Sequence, residues 1–201
     1  MPGSANHVPA GLQIERDLLK HPSLASPFEP HPSWANVALL QPLVLFHQAV
    51  LAFDAGADWG TALLCRSALE AACYVFLTRR KMEGQGREMA FWSDPPLGLD
   101  GKVRRVDFEE VRAGVIARQV LSPDGARDLK RIRDQGNIIA HLASRSDKHL
   151  LLPLDERLRS PLWVNRQQAL EDLRDTASIF KTLADSMASV VPEPGATDES
   201  A

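Results

Sequence analysis

Residues 59–81 carry Leu63, Leu64, Ala68, Leu69, Ala72, Cys73 and Phe76, an apolar stripe that recurs at steps of three and four. That period matches a helix of 3.6 residues per turn and not a strand, whose faces alternate every two residues. A helix with so broad an apolar side needs other elements to cover it. Breakers elsewhere fall at wide intervals, and the segments between them have the same period, so the chain reads as all-α.

The flanking signals set the remaining elements. Ser33 is placed to cap a helix over 33–55, with Pro42 marking either its start or a kink. Gly56 and Ala57 end it, and Asp58 caps the next helix. Residues 83–106 hold Gly84, Gly86, Pro95, Pro96, Gly98 and Gly101, which predicts a long loop. A helix over 107–120 follows. Ser122-Pro-Asp then supplies an N-cap with proline in the first turn, opening a helix that runs to about residue 144. After a short apolar run at 150–154, Asn165 caps a last helix through 187 with Leu170, Leu173, Ala177, Phe180 and Leu183 turned inward. The expectation is an up-and-down bundle of four to five helices over 34–188, between a flexible segment at 1–33, in which only Gly11 to Leu19 has helical potential, and a disordered acidic tail at 189–201. No internal repeat is visible.

Length and charge narrow the function. A chain of 201 residues can bury a substantial core without metal or disulfide staples. Its formal net charge of −3 gives no global basic signature, so any nucleic-acid contact must be local. Cys65 and Cys73 lie eight residues apart on one predicted helix, about 12 Å along its axis, too far to pair, and read as buried thiols. No Cys/His set has metal-ligand spacing, and no cofactor is expected. The longest apolar run, over 37–53, is interrupted by Gln41, Pro42, His47 and Gln48, and the start has no secretory pattern, so a cytoplasmic protein without a membrane partner is expected. P-loop, dinucleotide-glycine and nucleophile-elbow motifs are all missing from the sequence.

The residues with chemical potential lie in the fourth helix. In Arg131-Ile-Arg-Asp-Gln-Gly-Asn-Ile-Ile-Ala-His141, steps of four set Arg133, Asn137 and His141 along one helical face. An imidazole with a pKa near neutrality can move a proton, and a guanidinium can hold phosphate charge. From Arg133 to His141 the rise is about 12 Å, a stretched distance for one phosphodiester. Taken singly, each residue has a plainer role: Gly136 for close helix crossing, Asn137 for a loop contact, His141 at a helix end. Arg66 and Glu70 have the spacing of a helix-surface ion pair. Local basic groups occur at 79–81, at Lys102, Arg104 and Arg105, and at Arg127, Lys130, Arg131 and Arg133; Trp59, Trp92 and Trp163 are possible stacking groups.

Arg66-Ser-Ala-Leu-Glu70, together with Arg133-Asp-Gln-Gly-Asn-Ile-Ile-Ala-His141, resembles the HEPN helical-bundle superfamily, and its DUF4145 branch in particular. The resemblance covers about 40–185. It implies a homodimer whose facing motif helices form a cleft and, in active members, a metal-independent endoribonuclease of bacterial toxin or antiphage defence systems, with an antitoxin or defence-system partner. Carried onto this chain, His141, Arg133 and Asn137 become the catalytic candidates. Glu70 and Arg66 support them, and Lys130, Arg131 and Arg145 follow the RNA. The sequence departs from the nuclease pattern in one respect: Arg133 lies one step further from His141 than the usual four to six intervening residues. The alternative is a non-catalytic HEPN module that binds a nucleotide or a protein through the same face.

Overall fold

The computed structural model describes residues 8–24, 34–83, 108–141 and 164–188. Within them the chain forms α1 (Ala10–Leu19), a 3-10 turn (Pro22–Leu24), α2 (Trp34–Asp54), α3 (Asp58–Glu83), α4 (Phe108–Ala117), α5 (Pro123–Ala140) and α6 (Arg166–Ala188). No strand occurs among the described residues, and the protein is a helical bundle.

The stripe predicted on α3 is the centre of the core. Ala62, Cys65, Ala68, Leu69, Ala72, Cys73 and Phe76 are buried, and α3 is packed by α2, α4, α5 and α6. Small Ala and Cys side chains on this face let neighbouring helices approach closely, because interaxial distance follows the side chains at the contact. Large groups from the neighbours fill the remaining space: Phe46 of α2, Leu129 and Ile132 of α5, and Leu173, Phe180 and Leu183 of α6 are fully or almost fully buried. The Phe46 and Phe180 rings meet at 5.8 Å between centroids in a tilted pair.

Two of the predicted caps act as the residue types require: Ser122 Oγ accepts from the Gly125 N–H at 3.1 Å with Pro123 following, and Asn165 Oδ1 accepts from the Gln168 N–H at 2.9 Å. Asp58 instead is the first residue of α3, its Oδ1 accepting from Arg166 at 3.2 Å, and Ser33 lies outside the described residues. Of the two roles open to Pro42, it does not start α2: the helix begins at Trp34 and continues through a buried proline. A proline forfeits one backbone hydrogen bond, and burial of Pro42 between Leu39 and Phe46 in the core sequence compensates for that loss. At the α2–α3 turn Gly56 has φ +82°, a conformation that suits a residue without Cβ. The Arg166 guanidinium lies 3.4 Å from the Phe53 ring centroid and donates to the Phe53 carbonyl, fixing the start of α6 against this turn.

Two expectations need correction. Residues 10–24 of the segment read as flexible belong to the bundle: Leu18 and Leu24 are fully buried, and α1 and the 3-10 turn rest on α2 and α6. Polar ties hold them. Gly11 N–H donates to Asp54 at 3.2 Å, Glu15 meets His47 Nδ1 at 2.8 Å, and Ser23 Oγ donates to Asp185 at 2.6 Å. The helical potential of residues 11–19 is visible in the sequence, but the surrounding Pro, Ser and His residues hide its docking on the bundle. Second, the longest apolar window is Asp58–Leu77, with mean hydropathy 1.3, long and apolar enough to cross a membrane by length and composition. The bundle explains its composition, since this is the helix that four others cover. The expected loop at 83–106, the run at 150–154 and the tail at 189–201 lie outside the described residues beyond Glu83.

The docking of α1 predicts a contrast between adjacent leucines. Leu18→Ala is expected to lower stability by about 3 kcal/mol, and Leu19→Ala, at a position 46 % exposed, by under about 0.5 kcal/mol, measured by urea unfolding. Equal effects would show that the arm is not part of the cooperative unit.

Candidate functional site

α5 carries the motif, but its three polar residues diverge in space. Arg133 turns toward α4, where Nη1 lies 2.8 Å from Glu109 Oε2; the same atom donates to Asp134 at 2.8 Å. Asn137 turns toward α3, where its Oδ1 accepts from Arg66 Nε at 2.8 Å. His141 follows the last helical residue as the C-cap of α5, and its N–H donates to the Asn137 carbonyl at 3.0 Å. Its side chain is at the surface. Steps of four put these residues on one side of a helix, yet long side chains go where partners stand, and α5 packs against both α3 and α4.

Arg66 organises the crossing of α3 and α5. A Cβ built on Gly136 would lie 2.5 Å from Arg66 Cδ, 2.6 Å from Cβ and 2.9 Å from Cγ, so the Arg66 side chain occupies the space that a side chain at 136 would need. The guanidinium then makes three contacts. It donates to Asn137, pairs with Glu70 at 3.0 Å, and lies 5.7 Å from the centroid of the buried Phe108 ring. Glu70 therefore engages Arg66 on its own helix rather than Arg133 or His141. The sequence motif Arg66/Glu70 with Gly136/Asn137 is one physical object, a joint between two helices.

The remaining cations of α5 are also matched by carboxylates. Arg131, expected along an RNA path, reaches α6 and contacts Asp172 at 2.5 Å and Asp175 at 2.7 Å. Asp172 is fully buried and also accepts from Gln168 at 3.3 Å. Burial pushes the Asp172 carboxyl above the usual carboxylate range, with Arg131 opposing that rise. Breaking such a buried pair from one side strands the other charge, so Arg131 has a structural task between α5 and α6. Lys130 pairs with Asp134 at 2.6 Å on the exposed side. Arg145, Lys102, Arg104, Arg105, Trp92 and Trp163 lie outside the described residues, as do the side chains at 79–81.

Sequence reasoning missed the acidic partners. Glu109 faces Arg133 from α4 and also pairs with Arg112 at 2.5 Å, and Asp172 and Asp175 face Arg131 from α6. The available signal was the i, i+3 spacing of Glu109 and Arg112, which predicts a local pair and says nothing of the crossing. Cys65 and Cys73 are buried and unpaired with each other; burial pushes the Cys65 thiol up and the Cys73 thiol up to about 12, which leaves neither as a thiolate nucleophile. Among the described residues no group of three or more His, Cys, Asp or Glu side chains could hold a metal ion.

Compared with models of known families, with curated proteins and with solved structures, the chain matches none.

Two measurements follow from this geometry. Gly136→Ala is expected to destabilise the protein by about 1–3 kcal/mol despite alanine's better helix propensity, because the new methyl meets the root of Arg66 and not its mobile end. Arg66→Ala does not relieve that clash, since its own Cβ stays 2.6 Å away, and a double variant as stable as wild type would contradict the joint. The Arg112 hydrogen bond, with Arg133 close by, holds the Glu109 carboxyl below the usual glutamate range. As pH falls, the unfolded chain takes up that proton first, so the stabilisation is present above about pH 4.3 and is lost through the lower folded value. Thermal melting of wild type against Glu109→Gln should therefore differ near neutrality, by under about 1 kcal/mol for so exposed a pair, and converge in acid.

Proposed function

We propose that the chain is a HEPN-type helical module that binds RNA or a nucleotide without metal at the exposed end of α5, around His141, and does not cleave it. The observation that carries this reading is the Glu109–Arg133 pair at 2.8 Å. A guanidinium facing two carboxylates, Glu109 and Asp134, is poorly placed to hold a scissile phosphate, because the ligand's charge would compete with theirs. Arg66 and Arg131 are likewise engaged by Glu70, Asp172 and Asp175. His141 stands at the surface beyond the last turn of α5, where an imidazole can contact an anionic ligand.

A second reading keeps the ribonuclease. Arg133 Nε is buried without a hydrogen-bond partner among the described residues, so this guanidinium is incompletely satisfied where it stands. A substrate phosphate that displaced Glu109 would recruit Arg133 toward His141, restoring the constellation that the motif implies. Both readings fit a bacterial toxin or antiphage setting with an antitoxin or defence partner, and both keep Asn137 as the group that fixes Arg66.

Incubation with mixed RNA in chelator separates them. The expected outcome is no cleavage above buffer controls, with fluorescence-anisotropy binding of short RNA or nucleotides weakened about 5–10-fold by His141→Ala, the worth of one charge-assisted contact. Cleavage abolished by His141→Ala overturns the binding-module reading in favour of the ribonuclease. Absence of both binding and cleavage removes both.

A further inference from the structure

Five charged side chains meet where α4 packs on α5: Glu109 and Arg112 from α4, and Lys130, Arg133 and Asp134 from α5. Glu109 is the hub. Arg112 holds its carboxylate with a two-pronged fork, Nε to Oε2 at 3.0 Å and Nη2 to Oε1 at 2.5 Å, and Arg133 Nη1 reaches Oε2 at 2.8 Å. Asp134 takes Lys130 at 2.6 Å and the same Arg133 atom at 2.8 Å. Three cations thus face two carboxylates, an excess of one positive charge. The Arg112 hydrogen bond and the charges of Arg133 and Lys130 hold the Glu109 carboxyl below the usual glutamate range, so all three cations act on this one anion. Their burial is ordered in a telling way. The Arg112 and Arg133 side chains are 16 % and 20 % exposed, whereas Glu109 is 41 % exposed. In the Arg131–Asp172 pair the order is reversed, with the carboxylate fully buried and the guanidinium 32 % exposed. An acid sealed beneath its base belongs to the fold. An acid lying over two largely desolvated, prearranged guanidinium forks can be exchanged for another anion without moving the forks.

We propose that Arg112, Arg133 and Lys130 form a binding site for a phosphate group and that Glu109 is its built-in competitor, a carboxylate held where two phosphate oxygens fit. The same fork that takes a carboxylate through two parallel N–H bonds takes the non-bridging oxygens of a phosphate. Lys130, held only at the surface by Asp134, adds a third positive charge. A purely structural task explains the cluster less well, because α4 already has an apolar anchor in the buried Phe108, Val111 and Val115. Nor are the donors exhausted: Arg133 Nε has no hydrogen-bond partner among the described residues. Glu109 sets the affinity, since a ligand must outcompete it, so the wild-type chain binds weakly and loss of that one charge opens the site. The step is binding alone, with no bond made or broken. It does not rest on the RNA reading at His141, because a free phosphate serves the site as well as a nucleic-acid one.

Titration of the ¹⁵N-labelled full chain with sodium phosphate at constant ionic strength, followed at the amides of α4 and α5, tests it. Glu109→Gln is expected to bind phosphate about 10-fold more tightly than wild type, the worth of removing a charged competitor from a charge-assisted site. Glu110→Gln removes the same charge from the next, exposed position and should change affinity by less than about 2-fold. Adding Arg112→Gln to Glu109→Gln should abolish the gain, and adding His141→Ala should leave it intact. That last arm separates this site from the one at His141, whose failure would not touch it. The same titrations with a short RNA identify the source: a gain that extends to RNA supports the site with a nucleic-acid phosphate as ligand, and a gain confined to inorganic phosphate supports it with a free one. Glu109→Gln that binds no more tightly than wild type overturns the proposal. So does a gain that Glu110→Gln reproduces, that survives Arg112→Gln, or that His141→Ala removes.

Discussion

Arg66 crosses α5 at the residue that has no side chain, and the arrangement of the bundle follows from that close contact. With Gly136 in place, the aliphatic stem of Arg66 lies against the α5 backbone and its guanidinium reaches Asn137 beyond it. The same approach brings Leu129 and Ile132 of α5 into the core that α3 shares with α6. A bulkier residue at 136 would push the two helices apart along their whole contact, because interiors are packed too densely to absorb a methyl group locally. Half-burial of Arg66 is tolerable because Glu70, Asn137 and the Phe108 ring surround its charge.

A second electrostatic layer lies over the first. Each basic residue described on α5 from Arg127 to Arg133 has a carboxylate within ion-pairing distance: Asp124 for Arg127, Asp134 for Lys130, Asp172 and Asp175 for Arg131, Glu109 for Arg133. A sequence run that looks like a cationic track is therefore locally neutralised.

What the sequence made legible was the class of each long element. The stripe on α3, the Ser122 and Asn165 caps and the inward residues of α6 are local signals, and local physics decides them. The joint was half legible: Gly136 as a crossing residue and Arg66–Glu70 as an ion pair could be read, but not that they meet. That meeting depends on how α3 and α5 cross, 71 residues apart in the chain between Arg66 and Asn137. Face arithmetic placed Arg133, Asn137 and His141 together because it follows Cα positions, whereas long side chains are steered by carboxylates on other helices. The helical potential of residues 11–19 was legible, but their docking on the bundle was not, because so short a periodic signal among prolines does not say what the helix packs against.

The docking of the N-terminal arm also bears on how the chain folds during synthesis. Ser23 bonds to Asp185 across 162 residues, so α1 and the 3-10 turn after it have part of their docking surface in α6. α2 and α3 can associate early through a short turn, but the apolar side of α1 must wait until α6 exists. Contacts of such sequence separation form late and slow folding, since loop closure precedes any gain from the contact. An interrupted chain ending before residue 166 would expose Leu18 and Leu24 together with the core face of α3, and would be a natural substrate for chaperones.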